Sequence, residues 1–145
     1  SIGGNAKMSE FQAAMGICNL RHIDEAISKR AMLFTYYQEK LAKIPGIKMP
    51  IEQKGVKRNY NYLPVVFDGY KATRDQIYDH LKKHDIFARK YFYPLINSLE
   101  CYRDQYDDRK TPIAKDVASK ILTLPLYEDL VIEDVDRICH LIKTI

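Results

Sequence analysis

Two neighbouring segments decide the fold: YNYLPVVF (Tyr60–Phe67) and TRDQIYDHLKK (Thr73–Lys83). The first is rich in β-branched and aromatic residues at alternating positions, which predicts a strand. Pro64 predicts that this strand lies at a sheet edge or beside a bulge, because proline has no backbone N–H to donate. In the second segment, Thr73 and Gln76 have the spacing of a capping box, so a helix should begin there. Its inward-facing apolar positions are Ile77 and Leu81.

Strand and helix signals continue towards the C-terminus. Asp85–Tyr93 is rich in aromatic residues and predicts a second strand. Thr111 and Pro112 predict a helix start, with Thr as the cap and Pro at the first helical position, where its missing N–H costs nothing. Leu122–Leu126 predicts a short third strand, and apolar positions at helical spacing after Glu133 predict a closing amphipathic helix.

The chain before these elements is helical in character. Between Met8 and Ile44 no proline interrupts the apolar periodicity, which predicts one long helix or two in tandem. Ser9 and Gln12 form a second capping-box pattern at its start. The polar, basic stretch of residues 46–59 predicts a surface loop. The predicted fold class is therefore α+β: a long N-terminal helix (residues 1–45), then a small, mostly antiparallel sheet of about three strands packed with helices (residues 46–145), together one folded unit.

Composition excludes several classes of protein. The chain has 145 residues and 46% hydrophobic content, enough to bury roughly two thirds of the surface of the unfolded chain. Its 23 Lys and Arg are balanced by 19 Asp and Glu, which argues against a dedicated nucleic-acid binder. No apolar run reaches the roughly 18 residues of a membrane span. The cysteines have no CxxC spacing, so we expect no disulfide framework and a reducing, cytoplasmic location.

Two segments stand out as candidate ligand sites, since the four histidines lack ligand spacing and the common local catalytic motifs are absent. Residues Gly3–Ala14 form a glycine-containing turn that runs into a capped helix and could meet an anion. The local residues by themselves favour the other interpretation, a plain helix cap and its lead-in. Ala88–Leu95 places cations beside aromatic rings, which suits a phosphorylated ligand and a stacked base or sugar. A strand whose aromatic residues fill the core is the competing interpretation.

Taken together, these segments resemble the C-terminal portion of the DegT/StrS family of sugar-nucleotide aminotransferases, which depend on pyridoxal 5'-phosphate (PLP). The similarity spans essentially the whole chain, and its landmarks come in the family's order. They are Gly4–Glu10 with Gln12–Ala14, Asn19–Glu25 and Arg30, Ile44–Ile47, Ala88–Arg89 with Tyr91–Leu95, Thr111–Ala114, and Leu124–Tyr127.

The resemblance implies a fold type I aminotransferase, which has a large PLP-binding domain, a smaller C-terminal domain and active sites at a homodimer interface. Residues 1–45 would then lead in from the PLP domain, and residues 46–145 would be the small domain. The Schiff-base lysine, the aspartate that pairs with the pyridine nitrogen and the ring-stacking aromatic residue belong to the large domain. We therefore expect no catalytic residue in this chain, no activity from it alone, and weak PLP binding or none.

The family's binding residues carry over by position. Asn5 matches the asparagine that hydrogen-bonds the PLP phosphate of the neighbouring subunit, and Lys7 lies close to the same interface. Many members have His-Tyr where this chain has Phe92 and Tyr93. The positions implied to bind the sugar-nucleotide substrate are Lys7, Arg89, Tyr91 and Tyr93.

The reaction implied for the intact enzyme is transfer of an amino group from an amino acid, usually L-glutamate, to a keto group of a nucleotide-linked deoxysugar. Such products serve surface polysaccharide or antibiotic sugar biosynthesis. Three alternatives stay open at this point: a non-catalytic dimerisation module that uses the Met8–Ile44 helix, a PLP-dependent sugar dehydratase of the same family, and a nucleic-acid binder. The last would use Lys54, Lys57, Arg58, Arg89 and Lys90 with nearby tyrosines.

Overall fold

The computed structural model describes residues 6–102 and 104–145, and within them helices and strands form an α+β fold. The predicted fold class is therefore confirmed. Short 3-10 turns lie at Ile96–Ser98 and Asp108–Lys110. The elements in chain order are α1 (Glu10–Leu20), α2 (Ile23–Leu41), β1 (Ile47–Lys48), β2 (Leu63–Phe67), α3 (Arg74–Lys83), α4 (Pro112–Lys120), β3 (Ile121–Leu124) and α5 (Ile132–Thr144).

The helical N-terminal region is two helices in tandem, which break between Leu20 and Ile23. Ser9 and Gln12 form the predicted capping box at the start of α1, and the box predicted at Thr73 opens α3 in the same way. Thr111 occupies the cap position before α4, but its side chain makes no capping hydrogen bond. Its hydroxyl instead donates to the Asp108 carbonyl at 3.1 Å. Within the described residues, no helix is both long and apolar enough to cross a membrane.

The three strands of the sheet are antiparallel, in the order β1-β2-β3. Pro64 was predicted to lie in an edge strand or beside a bulge. The structure contradicts an edge strand, because β2 is the central strand of the sheet. The physical reason Pro64 is tolerated lies in the register. Thr123, opposite Pro64, directs both of its backbone groups to Arg89 and away from β2, so Pro64 needs no donor there. On its other side β1 pairs only with Val66 and Phe67, and Pro64 is locally an edge residue.

The segment predicted as a second strand, Asp85–Tyr93, is not one. It contributes a single bridge, in which Arg89 and Thr123 exchange backbone hydrogen bonds of 2.9 and 2.8 Å. Ile86 and Ala88 are buried, so its apolar residues pack against the core without forming a ladder. The third strand of the sheet is instead β1, which lies in the stretch of residues 46–59 that was predicted as a loop. Two residues pairing with a distant strand leave no periodic signal in a sequence.

The core lies between the sheet and the helices α2, α3 and α5. Tyr37 of α2 and Val135 of α5 are fully buried and belong to one cluster with residues of β2 and β3. Ile77 and Leu81 of α3 are buried in it as predicted. The remaining large, fully buried members are Leu33, Leu41, Leu63, Val65, Leu122, Leu124, Cys139 and Ile142.

Asp68 ties the β1–β2 edge to α4 through two cations. Its carboxylate lies 2.5 Å from Lys48 Nζ and 3.0 Å from Lys120 Nζ. These partners lower the pKa of Asp68 to about 2, below the value of about 3.9 in an unfolded chain. The stability that Asp68 contributes is therefore present above about pH 4 and is lost as the pH falls towards 2.

We expect Asp68→Asn to remove this part of the acid dependence. Urea midpoints, measured by circular dichroism between about pH 5 and about pH 2, should fall more steeply for the wild type than for the variant. Asp79→Asn, a change at an exposed carboxylate of α3, is the control and should follow the wild type. Parallel curves for the wild type and Asp68→Asn would contradict the ion-pair assignment.

Candidate functional site

A cleft of about 330 Å³ lies where the segment around Arg89 crosses the end of β3. Three stretches build its wall: the approach to β2, the Arg89 segment and the chain that leaves β3. Its aromatic and charged lining residues are Tyr62, Phe87, Arg89, Tyr91 and Tyr127.

The backbone bridge to Thr123 holds the backbone of Arg89 beside the end of β3. In extended chain, alternate side chains point to opposite sides. Arg89 and Tyr91 line the cleft, whereas Lys90 between them reaches Asp75 on α3. Arg89 Nη1 donates a hydrogen bond to the Tyr91 hydroxyl. The ring of Tyr91 meets that of Tyr62 edge to face, with centroids 5.7 Å apart.

This lining suits an anionic, ring-containing ligand. Arg89 is an exposed residue, and a guanidinium can donate two parallel hydrogen bonds to phosphate oxygens. Tyr62 and Tyr127 are about half exposed and offer aromatic faces to a base or sugar. The cleft lining includes no Asp or Glu among the described residues, so no carboxylate opposes an anion there.

The same lining does not fit PLP by itself. The cofactor needs a lysine for its covalent bond and an acidic partner for its pyridine nitrogen, and the residues that line the cleft provide neither. Within the described part of the chain, no group of three or more metal-ligating side chains is present either. Burial raises the pKa of the Cys139 thiol to about 12, so this cysteine is an inert core residue.

The predicted site residues separate into groups. Arg89 and Tyr91 come together in the cleft. Tyr93 lies outside the cleft lining and packs on Arg74, whose guanidinium carbon is 4.8 Å from the ring centroid. Lys7 is exposed ahead of α1 and does not line the cleft. Asn5 lies outside the described residues. The substrate and cofactor roles of all five remain predictions.

Sequence reasoning missed three aromatic residues of the cleft: Tyr62, Phe87 and Tyr127. Tyr127 had a usable signal, since it closes the landmark Leu124–Tyr127. Tyr62 lies just before β2 and had the appearance of an ordinary strand residue. Its place in the cleft follows from the pairing of β2 with β3, which a single sequence does not show.

α1 presents a second surface of interest. None of its residues is buried, and its apolar side chains face outward: Phe11 is 85% exposed, Met15 66% and Leu20 68%. Met8, Phe11, Met15 and Cys18, which recur at helical spacing, are thus uncovered within the described residues. Contiguous apolar surface of this kind marks a place where another protein surface packs.

The family model described as the DegT/DnrJ/EryC1/StrS aminotransferase family matches residues 1–143. A dTDP-4-amino-4,6-dideoxy-D-glucose transaminase of Escherichia coli is 43% identical over 97% of this chain and 38% of its own length. A transaminase of the same name from Shigella dysenteriae is 34% identical, over 99% of this chain and 40% of its own.

Solved structures agree with the sequence relatives. The crystal structure of DesI in the presence of its TDP-sugar product superposes with a TM-score of 0.87 and 31% identity, covering 97% of this chain and 36% of that one. The chain therefore spans about two fifths of the length of the curated relatives it matches.

Proposed function

The chain belongs to the DegT/DnrJ/EryC1/StrS aminotransferase family, and from that premise we propose that it is the C-terminal part of a PLP-dependent sugar-nucleotide aminotransferase. The intact enzyme would move an amino group, with L-glutamate as the usual donor, to a keto group of a nucleotide-linked deoxysugar. The relatives that are 43% and 34% identical are named as dTDP-sugar transaminases. Their names support thymidine diphosphate as the nucleotide part of the substrate. The product would serve polysaccharide or antibiotic sugar biosynthesis.

The observation that carries this proposal is the pairing of Arg89 with Tyr91 in the cleft. In the proposed complex, Arg89 binds the diphosphate and the Tyr91 hydroxyl keeps the guanidinium oriented towards it. Tyr62 and Tyr127 would flank the base or the sugar. A charged donor held in place before the ligand arrives loses less conformational entropy on binding than a free one. Lys7 and Tyr93 remain proposed contacts of the same substrate.

In this proposal the reactive chemistry lies outside the described residues. A larger PLP-binding domain precedes Ser1, residues 1–45 lead from it, and residues 46–145 form the small domain. The exposed apolar residues of α1 support this arrangement, because a large domain and a homodimer partner would cover them. Asn5 would reach the PLP phosphate of the partner subunit. Cys18 and Cys101 are exposed free thiols, which supports a reducing, cytoplasmic location.

Titration of the purified chain with dTDP, followed by amide chemical shifts, tests the proposal. We expect saturable binding with shifts at Tyr62, Arg89 and Tyr127. Arg89→Gln should weaken binding about tenfold or more, because a charge-assisted hydrogen bond is lost. Tyr91→Phe should weaken binding about two- to tenfold through the lost hydrogen bond. PLP added to the same chain should leave no cofactor absorbance after dialysis.

The matched control is Arg109→Gln, which removes an exposed arginine that pairs with Asp107 and does not line the cleft. It should bind dTDP like the wild type. The proposed ligand role of the cleft is wrong if dTDP does not saturate the wild type, or if Arg109→Gln and Arg89→Gln lose affinity equally.

A further inference from the structure

The first turn of α3 contacts the segment that carries Arg89 and Tyr91, on the side of that segment that faces away from the cleft. Asp75 in that turn pairs with Lys90, the residue between the two cleft residues. Lys90 Nζ also lies 4.4 Å from the ring centroid of Tyr78, one turn further along α3. The side chain of Lys90 is 27% exposed. The ammonium group of Lys90 thus lies between the Asp75 carboxylate and the face of the Tyr78 ring, and both contacts stabilise its position.

Arg74, beside Asp75, anchors this arrangement in the protein interior. Its side chain is only 2% exposed, and Nη1 donates to the carbonyls of Ala118 and Ile121 at 3.1 and 3.2 Å. Ala118 lies in the last turn of α4, where free carbonyls favour a cation. Arg74 Nε lies 2.9 Å from Asp75 Oδ1. The buried guanidinium therefore places a positive charge within ion-pair distance of the carboxylate that receives Lys90, although Nε makes no hydrogen bond to it.

Arginine suits this position better than lysine would. Its Nη1 group meets two carbonyls while the flat face of the guanidinium lies against an aromatic ring. That ring belongs to Tyr93, 4.8 Å from the guanidinium carbon, so the segment is held at Lys90 and again at Tyr93. A further backbone hydrogen bond of 2.9 Å runs from the Tyr93 N–H to the Lys90 carbonyl.

We propose that Asp75, held in place by Arg74, is a positioning residue for the Arg89–Tyr91 pair; the inference rests on the proposed function of the cleft. Within the described residues, the backbone hydrogen bonds from this segment to the sheet are those between Arg89 and Thr123. Beyond Arg89, the Lys90 anchor decides on which side of the chain Tyr91 emerges. Asp75 is 58% exposed and does not line the cleft, so it acts through Lys90 and not on the ligand.

Asp75→Asn and Lys90→Gln, singly and together, test this inference in the purified chain. We expect Asp75→Asn to lower the amide order parameters of residues 91–93 from about 0.85 towards about 0.6. It should weaken dTDP binding about two- to tenfold, the effect of one side chain that is no longer pre-ordered. The double variant should be no weaker than either single variant, because both changes break one pair. Asp75→Glu keeps the carboxylate and should restore most of the affinity.

The control is Asp24→Asn, which removes a first-turn carboxylate from α2. It shows how large an effect comes merely from losing a negative charge at a helix N-terminus. It should change neither the order parameters of residues 91–93 nor the affinity. The inference is overturned if Asp75→Asn leaves those order parameters at the wild-type value, or if Asp75→Glu fails to rescue affinity. Failure of the wild type to bind dTDP would instead remove the proposed function, while the order parameters would still decide whether Asp75 holds the segment.

Discussion

Replacing Gly46 with alanine is expected to destabilise the chain by about 2–5 kcal/mol. Gly46 has φ of +82°, and a Cβ there would lie 2.3 Å from the backbone nitrogen of Tyr70 and 2.5 Å from the carbonyl carbon of Gly69. Backbone atoms cannot rotate away as a flexible side chain can. Gly46 also accepts a 2.8 Å hydrogen bond from the Asp68 N–H, so any shift would disturb the pairing of β1 with β2.

Two other glycines separate the steric part of this effect from the conformational part. Gly55 has a similar φ of +80°, but a Cβ there would meet nothing within 4 Å. Gly55→Ala should therefore cost about 1–2 kcal/mol from its backbone conformation alone. Gly16 lies in α1 with open space around it, and Gly16→Ala should stabilise the helix by up to about 1 kcal/mol. Urea unfolding followed by circular dichroism compares the three; equal losses at Gly46 and Gly55 would contradict the close approach.

Tyr37→Ala is the second change with a large expected effect, about 3–5 kcal/mol. Tyr37 lies near the C-terminal end of α2 and is completely buried, and its removal would leave a cavity in the core that α2 shares with the sheet and α5. Its hydroxyl donates a 3.1 Å hydrogen bond to the Pro125 carbonyl. Burial raises the pKa of Tyr37 far above its usual value, so the hydroxyl stays protonated and donates across the accessible pH range.

Tyr37→Phe isolates the hydrogen bond, because the ring still fills the core. We expect a loss of about 1–2 kcal/mol, since the Pro125 carbonyl is left without this donor. Pro125 lines the cleft, so its amide neighbours should shift in nuclear magnetic resonance spectra. The control is Tyr36→Phe, which removes a hydroxyl that donates to Asp136 near the surface and should cost less than about 1 kcal/mol. Similar losses for both variants would contradict a special role for the buried bond.

Features that depend on residues close together in the chain were predictable. The capping boxes at Ser9–Gln12 and Thr73–Gln76 join residues three apart, so the pattern and the structure coincide. The inward positions Ile77 and Leu81 follow from helical periodicity, which each helix carries in its own sequence. The resemblance to a family, which rests on the order of short landmarks, was confirmed by the family match over residues 1–143.

Features that depend on distant partners were not predictable. Ile47 pairs with Phe67 in a strand too short to show alternation, and Pro64 is accommodated because β1 ends before reaching it. The aromatic residues around Arg89 predict a strand. Among the described residues there, the structure has a loop that pairs with β3 only through the bridge between Arg89 and Thr123. The side chains of these residues are compatible with a strand or a loop, and the pairing with a distant residue decides which of the two forms.

The candidate site divides along the same line. Arg89 and Tyr91 were identifiable from the order of residues, because a cation beside aromatic rings is a local chemical pattern. Their joint orientation towards the cleft, with Lys90 turned back to Asp75, was decided by the tertiary structure. The physical reason is that an extended segment can direct its alternate side chains either way round. Only the packing of α3 behind it and the bridge to β3 in front favour one of the two.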